Sequence, residues 1–178
     1  MLNIFKSKIN NESKSLYNAQ DIARFIINFS NNLNWDISNL RLQKLLYFIQ
    51  VEFLMENETH TPCFYNEIKA WDYGPVIPEV YHEYKQYGRR SIPKVERYVV
   101  VDESNIWNSK TVNYNENTIL EFDRKKISEI IDYYNQYKDY QLVDITHSQK
   151  PWLEAYKSTN KVISNKSIID FFKSETTK

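Results

Sequence analysis

The sequence of 178 residues predicts a predominantly helical α+β fold, with about six helices and a small antiparallel β element in the middle. Apolar residues recur at helical spacing in the first and the last third of the chain. Between these thirds, residues 95–101 are rich in β-branched and aromatic side chains, and residues 110–114 could pair with them across a turn-rich segment. Helices that cover one small sheet satisfy both observations.

The first two helices are predicted from their caps and their apolar faces. Asn18 is placed to cap the first helix, and Asn31 and Asn32 help to end it. Ser38 is placed to cap the second helix, which we expect to be the central helix of the core. The apolar face of the first helix comprises Ile22, Phe25, Ile26 and Phe29. That of the second comprises Leu42, Leu45, Leu46, Ile49 and Phe53.

The middle of the chain loses the helical period. Pro62 interrupts any helix, so residues 64–71 are predicted to be a short strand or a loop. A third helix then begins at Pro78, which suits a first helical turn, and ends at Gly88.

The last third is helical again. Asp123 is the expected cap of its first helix, with a capping box from Thr118 to Glu121 as the alternative. A short helix over residues 140–146, a helix that starts near Pro151 and a final helix over residues 166–172 follow. The apolar stripe of the long helix comprises Ile127, Ile130, Ile131, Tyr134 and Tyr137. Among Tyr133, Tyr134, Tyr137 and Tyr140, we expect Tyr133 to face outward.

Composition bounds the domain organisation and the classes of function. Residues 1–15 are predicted to be a loose N-terminal arm, and residues 16–173 a single domain. Lys+Arg and Asp+Glu balance at 23 each, so no overall positive field is expected to hold a nucleic acid, which makes nucleic-acid binding an unlikely function. Only two glycines occur, which argues against Gly-rich phosphate loops.

The single cysteine, Cys63, excludes an internal disulfide framework and a two-cysteine metal site. No run of about 18 apolar residues suggests a membrane span. We therefore expect a cytoplasmic protein that needs no membrane, metal or cofactor.

Residues 68–81 combine two aromatics, an acid, a Gly-Pro turn and a helix start. Two interpretations stay open: a structural turn in which Gly74 supplies unusual backbone angles, and a corner that contacts a partner. We expect Trp71 to point inward and Tyr73, Pro75 and Val76 to be partly exposed.

Catalysis has weak support in the sequence. His147 could act as a general base oriented by Asp144, but a histidine that caps or bridges helix ends accounts for it more simply. A Cys63 nucleophile paired with a histidine would make a small hydrolase, yet the spacing names no oxyanion donor. Arg89 and Arg90 could dock an acidic partner or complement the C-terminus of the third helix.

Three separate stretches resemble one family, the Panacea domain, also called the SocA-like antitoxin or phage-associated GepA-like domain. Residues 42–48, Leu-Gln-Lys-Leu-Leu-Tyr-Phe, resemble its core-helix signature. Residues 70–76, with residues 78–81, resemble its central motif, and Thr146-His147, Pro151-Trp152 and Ala155-Tyr156 resemble its C-terminal motif. Together the three stretches fall within residues 18–172, in order.

The resemblance implies a non-enzymatic protein that binds and neutralises a toxin encoded beside it, in bacteria or phages. It also implies, as variants, an adaptor that delivers the toxin to a ClpXP-type protease and an anti-defence inhibitor that binds a host nuclease. Residues 89–117 are where we expect partner specificity. The expected partner-binding residues are Tyr73, Pro75, Val76, Tyr81, Arg89 and Arg90. The expected structural motif residues are Gln43, Lys44, Trp71, Asp72, Gly74, Pro78, His147, Pro151 and Trp152.

Overall fold

The computed structural model describes residues 16–56, 58–102 and 104–176. Within them lie seven α-helices: α1 (Ala19–Asn32), α2 (Asn39–Met55), α3 (Pro78–Tyr84), α4 (Glu121–Asn135), α5 (Asp139–His147), α6 (Lys150–Lys157) and α7 (Asn165–Thr176). Five short strands accompany them: β1 (Ile68–Trp71), β2 (Gly74–Val76), β3 (Arg97–Val100), β4 (Lys110–Asn113) and β5 (Val162–Ile163). The predicted class, a mainly helical α+β fold with a small antiparallel element, is confirmed. The predicted arm, residues 1–15, lies outside the described residues.

Helix α2 is the centre of the core. It packs against α1, α3, α4, α5 and α7 and against β2, so almost every one of its side chains is buried. The predicted caps of the first two helices are confirmed. Asn18 Oδ1 accepts from the Gln20 amide at 2.9 Å, and Ser38 Oγ accepts from the Arg41 amide at 3.1 Å.

A three-stranded antiparallel sheet in the order β2-β1-β5 lies beside α2. The strands β1 and β2 form a tight hairpin in which Trp71 pairs with Gly74 across the turn residues Asp72 and Tyr73. The sequence left this segment open as a strand or a loop, and it did not show that β5, from the far end of the chain, completes the sheet. This sheet positions the Trp71–Gly74 turn above α2.

A second hairpin joins β3 to β4 in antiparallel register, with Tyr98 opposite Val112. It is the β element that the sequence predicted in the middle of the chain. It is attached to α1 at its base: Asn28 Nδ2 donates to the Val95 carbonyl at 2.9 Å and Asn28 Oδ1 accepts from the Val95 amide at 2.7 Å.

Two local predictions were wrong. Helix α4 begins at Glu121 after Leu120, which makes no side-chain cap, so neither Asp123 nor Thr118 caps it. The Tyr17 hydroxyl, more than a hundred residues earlier in the sequence, supplies the hydrogen bonds at this end of the helix. It accepts from the Leu120 amide at 3.1 Å and donates to Asp123 Oδ2 at 2.7 Å. A contact across more than a hundred residues has no local sequence signal.

The tyrosine prediction also failed. Tyr140, expected in the core, is 61% exposed because it lies in the first turn of α5, whereas Tyr133 is half-buried against the Tyr134 and Tyr137 rings. Among the described residues, no helix is long and apolar enough to cross a membrane.

Candidate functional site

The site begins with polar side chains buried on α2. Gln43 Oε1 accepts from the Ile77 amide at 2.8 Å, and this bond holds the chain just before α3. The Tyr47 hydroxyl donates to Gln149 Oε1 at 2.6 Å, just before α6. Gln50 Oε1 accepts from the amides of Cys63 and Phe64. Each of these side chains satisfies a loop or a neighbouring side chain that would otherwise be buried without a partner.

Lys44 lies at the middle of this row and is fully buried. Its Nζ donates to the Pro75 carbonyl at 2.9 Å, and no carboxylate of the described residues lies within 4.0 Å of it. Burial lowers the pKa of Lys44 to about 7, because an ammonium group without a counterion is costly away from water. The lysine therefore anchors the β1–β2 hairpin by a hydrogen bond, and near neutral pH it gives up its proton far more readily than an exposed lysine does.

Gly74 lies directly over Lys44. Its φ of +99° is an unusual backbone angle of the kind that the structural-turn interpretation assigned to it, and this angle strains any residue with a side chain. A Cβ at this position would lie 2.7 Å from Thr146 Oγ1 and 2.8 Å from Lys44 Nζ. The glycine lets the hairpin approach α2 and α5 closely enough for the lysine to reach the Pro75 carbonyl.

An aromatic stack closes the other side of the hairpin. The His147 ring stacks on Trp152 with 4.0 Å between centroids, and Trp152 stacks on Tyr156 at 4.8 Å. Trp152 Nε1 donates to the Trp71 carbonyl at 3.1 Å, and the Tyr156 hydroxyl donates to Asp72 Oδ1 at 3.0 Å. The stack thus fixes the first half of the hairpin turn, at Trp71 and Asp72.

His147 behaves as part of this scaffold. Burial and the nearby Lys44 charge lower its pKa, so its neutral form is favoured. Its Nε2 atom is buried and has no hydrogen-bond partner among the described residues. Cys63 lies in another part of the core, where its backbone bonds to Gln50 and Tyr17. Among the described residues, no group of three or more His, Cys, Asp or Glu side chains could hold a metal ion.

The outward side of the hairpin turn carries Tyr73 and the neighbouring Asp72, both of which are exposed. Tyr73, at the turn, is 71% exposed, as predicted. Pro75 and Val76, expected to be partly exposed, are buried, because β2 lies between β1 and α2. That exposure prediction was wrong and removes both residues from the accessible surface.

The remaining candidates lie along α3 and just after it. Trp71 is half-buried, with Tyr81 packed edge-on against it at 5.0 Å. Pro78 occupies the first turn of α3, as predicted, and Pro151 that of α6. Arg89 and Arg90 are exposed beyond Gly88. The structure therefore brings the motif residues together as one scaffold and leaves Tyr73, Arg89 and Arg90 on its surface.

Sequence reasoning named Gln43 and Lys44 as structural motif residues through the family resemblance, but it did not identify a row of buried polar side chains on α2. Apolar residues occur on all sides of α2, which is typical of a helix that is buried all round. Polar residues between them must then be buried and hydrogen-bonded. That signal could have identified Gln43, Lys44, Tyr47 and Gln50, whereas their partners in distant loops could only come from the structure.

Comparison with known proteins agrees with this scaffold. The family model described as antitoxin SocA-like, Panacea domain, matches residues 42–153, which include most of α2, the β1–β2 hairpin and α5. Antitoxin SocA of Caulobacter vibrioides (strain NA1000 / CB15N) is 36% identical over 74 residues, which cover 42% of this chain and 38% of that relative. No solved structure gives a significant match. The family model covers more than half of the sequence, and the chain belongs to the SocA-like antitoxin, Panacea domain family.

Proposed function

We propose that this chain is an antitoxin that neutralises a toxin encoded beside it by direct, stoichiometric binding. The observation that carries the proposal is the family match across residues 42–153, which takes in all the interactions that hold the β1–β2 hairpin on α2 and α5. The buried groups of this scaffold are used in holding it together. Its outward side offers a recognition surface.

The proposed mechanism is occlusion of the toxin's working surface in the cytoplasm. Tyr73, Arg89 and Arg90 are the proposed contacts, since exposed tyrosine and arginine side chains are enriched in protein interfaces. Tyr81 supports the surface from behind by packing on Trp71. Catalysis and cofactors have no role in this mechanism, and delivery to a ClpXP-type protease is not required for it.

Co-expression with the product of the adjacent gene tests the function. The chain should restore growth to cells that express this toxin, and Cys63→Ala and His147→Ala should also restore it if they fold. Loss of rescue by either variant, with folding and complex formation intact, would contradict a binding mechanism. An unchanged toxin half-life in rescued cells is expected for occlusion, whereas a shortened one would support proteolytic delivery instead.

The contact assignment has its own test. Tyr73→Ala should weaken toxin binding at least tenfold by calorimetry, because an exposed aromatic at a rigid turn is a typical energetic centre of an interface. Tyr65→Ala is the matched control, since Tyr65 is also exposed but lies outside the proposed surface. Equal affinity of Tyr73→Ala and the native chain would remove Tyr73 from the interface.

A further inference from the structure

The β3–β4 hairpin exposes four large apolar side chains to solvent. Trp107, in the turn between the strands, is 96% exposed, and Val99 is 56% exposed. Val100 and Val101 are exposed as well. Single apolar residues on a surface are ordinary, but four in one hairpin mark an interaction surface, and tryptophan is the residue most enriched in binding hot spots.

The outer edge of β3 is also open. The Tyr114 amide donates to the Glu96 carbonyl at 2.8 Å, which makes these two residues a hydrogen-bonded pair of the ladder. Hydrogen-bonded and non-hydrogen-bonded pairs alternate in antiparallel strands, so Arg97 and Val99 belong to non-hydrogen-bonded pairs. Their amide and carbonyl groups therefore point away from β4, and they have no hydrogen-bond partner among the described residues. Such an edge is a template for another strand.

Contacts with α1 fix the base of the β3–β4 hairpin, so the outer edge of β3 is preformed. Asn28 makes two hydrogen bonds to the backbone of Val95. The Arg24 guanidinium lies 3.7 Å from the centroid of the Tyr98 ring and is itself paired with Glu83 at 3.0 Å. A preformed edge loses less conformational entropy on binding than a mobile one.

Charge indicates the chemistry of the occupant. Arg97 and Val99 lie on one face of β3 and are both exposed, whereas Glu96, the acidic residue just before them, alternates to the other face. No Asp or Glu side chain of the described residues lies within 4.0 Å of the Arg97 guanidinium. The outer edge of β4 offers polar Thr111 and Asn113 where that of β3 offers Val99. The edge of β3 therefore suits an extended segment that places an acidic side chain opposite Arg97 and an apolar one opposite Val99.

We propose that an extended segment of the protein partner, with an acidic side chain opposite Arg97 and an apolar one opposite Val99, adds to the outer edge of β3 as a third strand, and that Trp107 inserts into a pocket of that partner. The inference rests on the proposed function and assigns recognition to this hairpin. Strand addition supplies affinity through the backbone, and the side chains beside it supply specificity. The scaffold around Gly74 could then stay the same while the partner differs.

Amide exchange tests the proposal. The nitrogen-15-labelled chain is measured by NMR alone and with the purified product of the adjacent gene. Exchange at the Arg97 and Val99 amides should slow at least tenfold in the complex, and exchange at the Thr111 and Asn113 amides should not. Val99→Glu and Trp107→Ala should each raise the Kd at least tenfold. Tyr140→Ala, at an exposed aromatic on α5, should change the Kd less than twofold.

The outcomes separate the hairpin from the function. If the native chain binds the toxin while exchange at Arg97 and Val99 and the Kd of Trp107→Ala stay unchanged, the hairpin proposal is overturned and the proposed function stands. If the native chain does not bind the toxin, both fall. If exchange at Val99 slows in the chain alone as its concentration rises, the occupant is a second copy and the partner assignment is wrong.

Discussion

Lys44 and Gly74 decide the geometry of the site at the scale of single residues. A buried lysine reaches one carbonyl of the hairpin, and it can do so because the residue above it has no side chain. One of the two interpretations of the sequence assigned unusual backbone angles to Gly74, since glycine in a tight turn adopts a positive φ at no steric cost. The residue type of Lys44 argues against burial, because lysine is almost always exposed, and only its position on a helix that is apolar on all sides indicates that it is buried.

Gly74→Ala should lower the free energy of unfolding by more than about 2 kcal/mol, since it combines backbone strain with a Cβ crowded by Thr146 and Lys44. Urea denaturation measures the loss. Gly88→Ala is the matched control, because Gly88 also has a positive φ but has no atom within 4 Å of the added Cβ. A loss for Gly74→Ala no larger than that for Gly88→Ala would show that the close approach to Lys44 is unimportant.

Lys44 should also make the stability depend on pH. Its pKa is about 7 in the folded chain and 10.5 ordinarily, so between these values the unfolded chain binds more protons. Stability from this group therefore rises with pH from about 7 upward, by at most about 1.4 kcal/mol per pH unit. Below pH 7 its contribution is constant.

The measurement is urea denaturation at intervals between pH 7 and 9, for the native chain and for Lys44→Met. This range avoids the higher pH at which tyrosines ionise. Burial raises the pKa of Tyr47 in the folded chain, so at such pH its ionisation in the unfolded chain would lower the stability and mask the effect of Lys44. The native stability should rise across the range relative to that of Lys44→Met. Parallel curves for the two proteins would mean that Lys44 stays charged in the folded state.

At the scale of elements, α2 illustrates both what the sequence predicts and what it does not. Its cap and its length follow from Ser38 and a long apolar run, because these are local signals. The hydrogen bonds of its buried polar residues join loops far away in the chain, so no local pattern reports them. The strand β5 was not predicted for a similar reason, since two residues are too few to show the alternation of apolar and polar side chains that marks a strand.

Gln50 is the strongest test of that polar row. Its side chain accepts from the Cys63 and Phe64 amides and donates to the Phe64 carbonyl at 3.1 Å. Gln50→Leu should therefore lower the free energy of unfolding by roughly 3 kcal/mol or more, because it leaves several buried backbone groups without partners.

Chemical denaturation checks this value against Gln136→Leu, which removes one exposed hydrogen bond and should cost less than about 1 kcal/mol. Similar losses for the two leucine variants would show that Gln50 does not hold the loop before β1. A larger loss for Gln50→Leu would identify α2 as the organiser of its neighbouring loops as well as of the apolar core.

At the scale of the whole molecule, a buried scaffold carries two exposed surfaces. The motif residues from α2, the β1–β2 hairpin, α5 and α6 lock together, while Tyr73 and the β3–β4 hairpin face outward. From the sequence, specificity was expected in residues 89–117, which stays a prediction, and the Gly-Pro turn was left open between a structural turn and a partner contact. The sequence could not foresee that Pro75 and Val76 are buried, because only the sheet reveals which side of β2 is covered.

The balanced charge of the molecule fits recognition by shape and local contacts. With 23 basic and 23 acidic residues, long-range attraction to a partner should be weak, so its association rate should depend little on ionic strength. Stopped-flow mixing with the toxin at about 50 and 300 mM salt measures this, and less than a threefold change is expected. A change of tenfold or more would indicate that a charged patch steers association.

Titration of the purified toxin with the purified chain, in the absence of any protease, tests the central claim most directly. Stoichiometric occlusion predicts that toxin activity falls linearly and reaches zero at one equivalent of the chain, with both proteins recovered intact from the complex. Full toxin activity at several equivalents, or loss of activity at a small fraction of one equivalent, would contradict neutralisation by binding.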